Sequence, residues 1–216
     1  MFKNKTVLIT AGPTQEPLDP VRFISNHSTG KMGFALAEEF ARQGARVLLI
    51  SGPTQLFIQH LAVQVFRVTT ADDMYAQVKQ FAIEADILVF AAAVADYKPK
   101  VVSAVKMKKQ ANTITLELEK NIDIAKAIGL VKKPNQFTVG FALETDNEIA
   151  NARTKLQTKN LDMIVLNSLQ DAGAGFSHDT NKITVIEKEA VTPFTLKSKT
   201  EVARDIVAFI SEKIHV

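Results

Sequence analysis

The segment "RFISNHSTGKMGF", residues 22–34, places a Gly-Lys pair directly ahead of an apolar-periodic run. Such a pair could bind phosphate. A P-loop reads G-x-x-x-x-G-K-[ST]; its backbone N–H groups cradle the phosphates and its final hydroxyl holds Mg²⁺. Gly30 and Lys31 fit, but Ser25 stands where the leading glycine belongs and Met32 where the hydroxyl belongs. The motif fails at both outer positions. What remains is Ser28, Thr29 and Gly30 at a helix N-terminus, where free N–H groups and the helix dipole favour an anion. A plainer reading stands beside it: Ser28 or Thr29 caps the helix, and the glycines allow close helix–sheet packing. The preceding stretch is long and rich in Gly, Pro, Ser and Asn, and long loops without regular structure are usually functional.

Other groups with chemical potential are spread along the chain. "AAVADYKPK" carries Asp96 and Lys98 after a strand-like run, and the small Ala91, Ala92 and Ala93 let a ligand approach the backbone. "KMKK" begins at Lys106; it reads either as a solvated strand edge, where lysine discourages edge pairing, or as a basic flap over an anionic intermediate. Lys155 and Lys159 are spaced i, i+4 on one helix face. They are solvated surface by default, or they reach a triphosphate if that face borders a cleft. Gly12 stands alone after the first strand, without G-x-G-x-x-G, so an ordinary NAD site has weak support. Four histidines without cysteine argue against a zinc site.

The elements that must position these groups follow from periodicity. Apolar β-branched runs at 6–10, 46–51, 63–69, 86–94, 137–143 and 162–168 read as strands. Helical patterns lie between them. Met32, Leu36 and Phe40 share one face of a helix that stops at Gly44. Thr70 and Asp73 form a capping box ahead of Met74, Val78 and Phe81. A further helix spans about 146–160. Strands apolar on both faces, alternating with helices, predict an α/β fold: a Rossmann-like, doubly wound, mostly parallel sheet flanked by helices. Two segments break the rhythm. Residues 101–120 alternate on both sides of "QAN" and predict an inserted β-hairpin or flap. "KITVIEK" and "TPFTLK" predict an antiparallel pair, followed by a last helix capped by Ser198 and Glu201. Ligands of such sheets bind beyond the carboxyl ends of the strands, which gathers the loops after 10, 91, 143 and 167, with Asn167 in the last.

The chain has 216 residues, read as a single domain, 1–216. It has no cysteine, so disulfides and thiolate chemistry are excluded. "MFKNKTVLIT" does not read as a signal peptide and no apolar run reaches spanning length, so a cytoplasmic protein without membrane partners is expected. Net charge is +3, with scattered Lys and Arg. That suits a small anionic substrate better than nucleic acid.

Taken together, the segments "TAGPTQEPLDPVRFISNHSTGKMG", "AAAVADYKP", "KMKK", "NIDI", "VGFALET" and "KLQTKNLDMIVLN" resemble the phosphopantothenoylcysteine synthetase (CoaB) family of coenzyme A biosynthesis, in the family's order. In many bacteria this domain follows a flavin-dependent decarboxylase, which has no counterpart in these residues. The resemblance implies a ligase that activates 4′-phosphopantothenate with CTP. Pyrophosphate leaves, an acyl-cytidylate forms, and the amine of L-cysteine displaces CMP.

The resemblance also implies roles. Gly12, Ser28, Gly30 and Gly33 would cradle nucleotide phosphates. Asn121, Ile122, Asp123, Ile124, Phe141, Lys155, Lys159 and Asn167 would complete the nucleotide pocket, with Asp96 shared between nucleotide and substrate. Asn26 would orient the pantothenate carboxylate; Ala92 and Ala93 would hold the pantothenate arm. Arg22 would reach across a homodimer interface to the substrate phosphate, and Lys106 would close over the acyl-cytidylate. Ile122 replaces the commoner proline of N-P-D-I, which mainly stiffens a turn. Mg²⁺ would be held largely by phosphates, with no protein cage. A separate phosphopantothenoylcysteine decarboxylase is an expected associate. The alternatives are a Rossmann dehydrogenase and a non-catalytic nucleotide-binding regulatory subunit. Lys31 is left without a role.

Overall fold

The structure, a computed structural model, describes residues 1–108, 113–168 and 178–214. Its strands are β1 (Thr6–Ala11), β2 (Gln15–Pro17), β3 (Phe23–Ser25), β4 (Arg46–Ser51), β5 (Val63–Arg67), β6 (Ile87–Phe90), β7 (Tyr97–Pro99), β8 (Leu118–Lys120), β9 (Phe137–Glu144), β10 (Met163–Ser168), β11 (Thr180–Asn181), β12 (Ile183–Ile186), β13 (Val191–Pro193) and β14 (Lys197–Ser198). Its α-helices are α1 (Lys31–Arg42), α2 (Ala71–Phe81), α3 (Ile124–Gly129), α4 (Glu148–Thr158) and α5 (Lys199–Lys213).

The central sheet runs β13-β12-β10-β9-β6-β1-β4-β5. Pairings from β5 through β10 are parallel, and β12 and β13 extend the sheet antiparallel. Strand order reverses at β1, whose neighbours are β4 and β6. That reversal is the topological switch point of a doubly wound fold, and the crevice beyond the strand ends lies there.

Both sheet faces are dry, as the unbroken apolar strands require. Val7 and Ile9 of β1 point into the layer packed by α1 and α5, where Phe40, Val202 and Ile206 are fully buried. Leu8 points into the opposite layer, with Met74 and Val78 of α2 and Ala152 of α4. The helices start where their caps say. Thr70 and Ser198 form complete capping boxes with Asp73 and Glu201. Gly44, at φ 95°, supplies the left-handed turn after α1.

The structure differs from the sequence reading in the irregular regions. The loop after β1 is not structureless, since β2 and β3 pair antiparallel within it. β6 ends at Phe90, and the alanines that follow leave the sheet to join that loop. The insertion's antiparallel pair lies at its base, between β7 and β8, and the stretches 101–108 and 113–117 carry no strand. Their apolar residues, Val101, Val102, Val105, Ile114 and Leu116, are exposed. An alternating pattern needs an apolar surface to pack on, and among the described residues the insertion meets the rest of the chain chiefly through polar contacts of Ser103 and Met107. The predicted turn at "QAN" lies outside the described residues.

Candidate active site

Two loops build the site. The chain after β6 is sewn to the chain after β1. Ala91 N–H donates to Thr10 O at 3.2 Å, Ala93 N–H to Gly12 O at 2.9 Å, and Thr14 N–H to Ala93 O at 3.3 Å. The hydroxyls of Thr10 and Thr14 accept from the N–H groups of Ala92 and Ala95 at 3.3 and 3.0 Å. Asn121 locks the far side: its side-chain amide donates to Ala95 O at 2.8 Å, and its backbone N–H to Asp96 O at 2.9 Å. The small residues expected to admit a ligand are thus held in a fixed track.

Two clefts open beside that track. The first, about 220 Å³, is lined by Ala92, Ala93, Asp96, Asn121, Ile122, Asp123, Ile124, Phe141, Lys155 and Lys159. The second, about 170 Å³, is lined by Ser28, Thr29, Gly30, Lys31, Met32, Gly33, Ala92, Ala93, Phe141, Asn167, Asn181 and Lys199. They are adjacent: Ala92, Ala93 and Phe141 line both.

In the first cleft, Lys155 and Lys159 line the cavity while keeping part of their side chains in solvent. Lys155 Nζ lies 2.5 Å from Glu144, whose side chain is 12% exposed, and Lys159 Nζ lies 3.0 Å from Asp123. Asp123 also caps α3, accepting from Lys126 N–H at 3.0 Å. The Oδ1 atom of Asn121 is buried without a hydrogen-bond partner. A buried acceptor without a protein donor is costly, and this one stands in the cleft wall, open to a water or a ligand donor.

The second cleft starts at the N-terminus of α1. Gly30 occupies the cap position at φ 81°, with no side-chain cap bond. Neither Ser28 nor Thr29 caps the helix; among the described residues Ser28 Oγ accepts only from Gly30 N–H, at 3.3 Å. The first-turn N–H groups are therefore left for an anion. Gly33 has a packing role: a Cβ there would come within 2.5 Å of Ala11 Cβ. Its absence lets α1 press onto β1 and brings the helix end to the second cleft. Gly12 lines neither cleft. It lies behind Gly30, whose added Cβ would meet Gly12 Cα at 3.4 Å.

Besides Gly12, three expected residues stand outside the cleft walls. Asn26 is exposed, but its amide donates to the O atom of Ala93, a residue common to both clefts, at 3.0 Å. Arg22 is bound within its own chain to Asp19 and to Met107 O, and reaches neither cleft. Lys106 is exposed on the insertion. Lys98 pairs with Asp72 at 2.6 Å, which holds its pKa above the usual lysine value.

The sequence reading missed Asn181 and Lys199. Asn181 is buried; its amide donates to Asn167 Oδ1 at 3.0 Å, and its own Oδ1 has no partner among the described residues. Lys199 is buried at the start of α5, where burial and the charge of Lys31 lower its pKa, partly opposed by Asp179. Lys31, which lacked a role, lies 2.5 Å from Asp179. The only sequence signal for Lys199 was its place beside the Ser198 cap.

Comparison with known proteins bears on the family and the fold. The model of the DNA/pantothenate metabolism flavoprotein C-terminal domain matches residues 2–214. A protein named cysteine/cysteine sulfinic acid decarboxylase, from an unknown prokaryotic organism, is 51% identical over 99% of this chain and 60% of its own length. The coenzyme A biosynthesis bifunctional protein CoaBC of Bacillus subtilis (strain 168) is 46% identical over 97% of this chain and 52% of its own length. The chain thus spans little more than half of these relatives. The crystal structure of the C-terminal domain of a CoaBC protein superposes with a TM-score of 0.84 at 40% identity, covering 99% of this chain and 97% of that one. The chain belongs to the DNA/pantothenate metabolism flavoprotein C-terminal domain family, and its fold is that of the C-terminal domain of CoaBC.

Proposed function

We propose that this chain joins 4′-phosphopantothenate to L-cysteine, driven by CTP through an acyl-cytidylate, with release of pyrophosphate and CMP. The observation that carries the reading is the pair of adjacent clefts walled in common by Ala92, Ala93 and Phe141, with the Asn26 amide hydrogen-bonded to Ala93. On this reading a nucleotide and an acyl substrate occupy the two clefts, and their reacting atoms meet beside Asn26. Such a reaction needs positioning and charge neutralisation more than a protein nucleophile.

Asn26 orients the attacking carboxylate. Ala92, Ala93 and Asp96 hold the pantothenate arm. The α1 N-terminus, through Ser28, Gly30 and Gly33, receives phosphate oxygens. Asn121 to Ile124, Phe141, Lys155, Lys159 and Asn167 enclose the nucleotide. Lys106 closes over the intermediate.

Mg²⁺ fits this donor set as a companion of the phosphates. No group of three His, Asp or Glu is arranged for a metal among the described residues. Asp96 lines the first cleft and can supply a single carboxylate, which suffices for an ion carried on phosphate. Bound there, Mg²⁺ would supply charge neutralisation at the phosphates.

The active form is a homodimer. Val21, Phe23, Val101, Val102 and Val105 are all at least half exposed, on two stretches joined by the hydrogen bond from Ser103 N–H to Leu18 O. Exposed apolar patches of this kind mark interfaces, and a second copy seated here brings Arg22 to its partner's substrate phosphate. A flavin-dependent decarboxylase acting on the product is the associated activity, by analogy with the bifunctional relatives. The protein works in the cytoplasm; no helix among the described residues is long and apolar enough to cross a membrane.

The test is pyrophosphate release measured with CTP, ATP and GTP, with and without 4′-phosphopantothenate. Release with CTP that requires 4′-phosphopantothenate is expected. Release with ATP alone would overturn the choice of base, and no release with any nucleotide would overturn the ligase.

A further inference from the structure

The Asp19 side chain has no exposed surface, although it belongs to a surface loop. Its Oδ1 accepts from the backbone N–H groups of Val21 at 2.8 Å and Arg22 at 2.9 Å. Its Oδ2 accepts from Arg22 Nε at 3.0 Å, from Arg22 Nη2, and from Met107 N–H at 3.1 Å. Arg22 Nη2 in turn donates to Met107 O at 3.0 Å. Ser103 N–H donates to Leu18 O at 3.0 Å. One buried carboxylate therefore joins the loop that carries Arg22 to the inserted segment that carries Lys106.

A carboxylate cut off from water must keep its donors, because a buried charge without them is strongly unfavourable. Arg22 cannot swing freely after a ligand, since leaving Asp19 would strand that charge. Its guanidinium plane is fixed through Nε and Nη2. Nη1 makes no hydrogen bond among the described residues, and the side chain is 47% exposed. An arginine held at its back by a carboxylate offers its remaining N–H groups to a second anion in a set direction. The same Oδ2 holds Met107 N–H, one residue from Lys106.

We propose that Asp19 is a positioning residue, which aims Arg22 outward as an anion receptor and holds the Lys106 segment in register with it. The two cations then approach the anionic substrate as one unit. This rests on the roles given to Arg22 and Lys106 under the ligase reading, but the coupling itself is a property of the chain without substrate.

The test is Asp19→Asn in the full chain. The amide keeps the acceptor that faces Val21 and Arg22 N–H, and turns Oδ2 into a donor that confronts Arg22 and Met107. Hydrogen exchange is followed at the amides of Ser103 and Met107 without ligand, and steady-state kinetics in parallel. We expect exchange at these amides to rise about tenfold or more, with the β1 and β6 amides unchanged. The KM for 4′-phosphopantothenate rises about tenfold and the KM for CTP stays within about twofold. A stable Asp19→Asn protein with unchanged exchange at Ser103 and Met107 overturns the coupling, whether or not the wild type turns over. Raised exchange with an unchanged KM for 4′-phosphopantothenate overturns the role in aiming Arg22. Should Asp19→Asn not fold, Arg22→Ala serves instead: it removes only side-chain donors, and the same rise in exchange at Met107 is required. Absence of ligase turnover in the wild type sinks the functional reading and leaves the exchange result to decide the coupling.

Discussion

The side-chain amide of Asn26 donates across 3.0 Å to the backbone carbonyl of Ala93, a residue that lines both clefts. Ala93 is itself fixed by its N–H bond to Gly12 O. The amide is therefore held by rigid backbone, with its second N–H available to a carboxylate. Preorganised donors of this kind contribute about 100-fold or more to rate. Asn26→Ala should lower kcat for pyrophosphate release by about that factor. The residue is exposed and outside the core, so the Tm should move by no more than about 2 °C. Calorimetry beside the kinetic assay checks both, and full activity in this variant would remove Asn26 from the reaction.

Gly33 tests whether helix placement matters to the site. An added methyl group would meet Ala11 Cβ at 2.5 Å, and behind it the backbone of β1. Nothing there is a flexible side-chain end, so α1 must shift. Overpacking of this kind costs about 1–3 kcal/mol. Gly33→Ala should show that loss in urea unfolding. It should also raise the KM for the nucleotide, because the α1 N-terminus is displaced from the second cleft.

Lys155 and Glu144 form a pair in which only the lysine is substantially exposed. Lys155→Met should leave a largely buried carboxylate without its counter-charge, at a cost of about 1–2 kcal/mol. It should raise the KM for CTP about tenfold if the ammonium also meets the nucleotide. The double variant Lys155→Met, Glu144→Gln separates the two effects. Stability should return while the KM stays high. A KM that returns with stability would make the lysine a structural residue.

How far the sequence revealed this site depended on whether a feature was local. Capping boxes at Thr70–Asp73 and Ser198–Glu201 are encoded within four residues, and both formed as read. Strands apolar on both faces specified a covered parallel sheet, and with it the crevice between β1 and β6. The grouping of 121–124 with Lys155 and Lys159 came from the family resemblance, since the two stretches are distant in the chain. Asn181 and Lys199 escaped because their significance is burial beside residues far away in sequence. The insertion misled for the opposite reason. Its alternation is a real pattern, but its apolar side chains point away from this chain's core.

Those same side chains give the oligomer prediction. Phe23 is 51% exposed and Val102 50% exposed, on stretches tied together by Ser103 and Leu18. Phe23→Glu with Val102→Glu should turn a dimer into a monomer in sedimentation equilibrium, with little change in far-ultraviolet circular dichroism. Activity should fall with dimer content if Arg22 acts across the interface. A wild-type protein that sediments as a monomer at micromolar concentration would remove the dimer from the mechanism.

Acid stability should be set in part by the helix caps. Hydrogen bonds from Thr70 hold the Asp73 carboxyl below its ordinary 3.8, and those from Ser198 hold Glu201 below its ordinary 4.5. Asp19 is lowered too, first by its bond to Arg22. In each case the folded state binds its proton less tightly than the unfolded chain. The stabilisation is therefore complete above the unfolded value and disappears as pH falls through the folded value. Urea midpoints should be flat from neutral pH down to about 5 and then decline steeply through the carboxylate range. Asp73→Asn with Glu201→Gln should lower the neutral-pH midpoint and flatten the acid decline. If the double variant lost stability by the same amount at pH 3 as at pH 7, the caps would stabilise through geometry alone and their charges would contribute nothing.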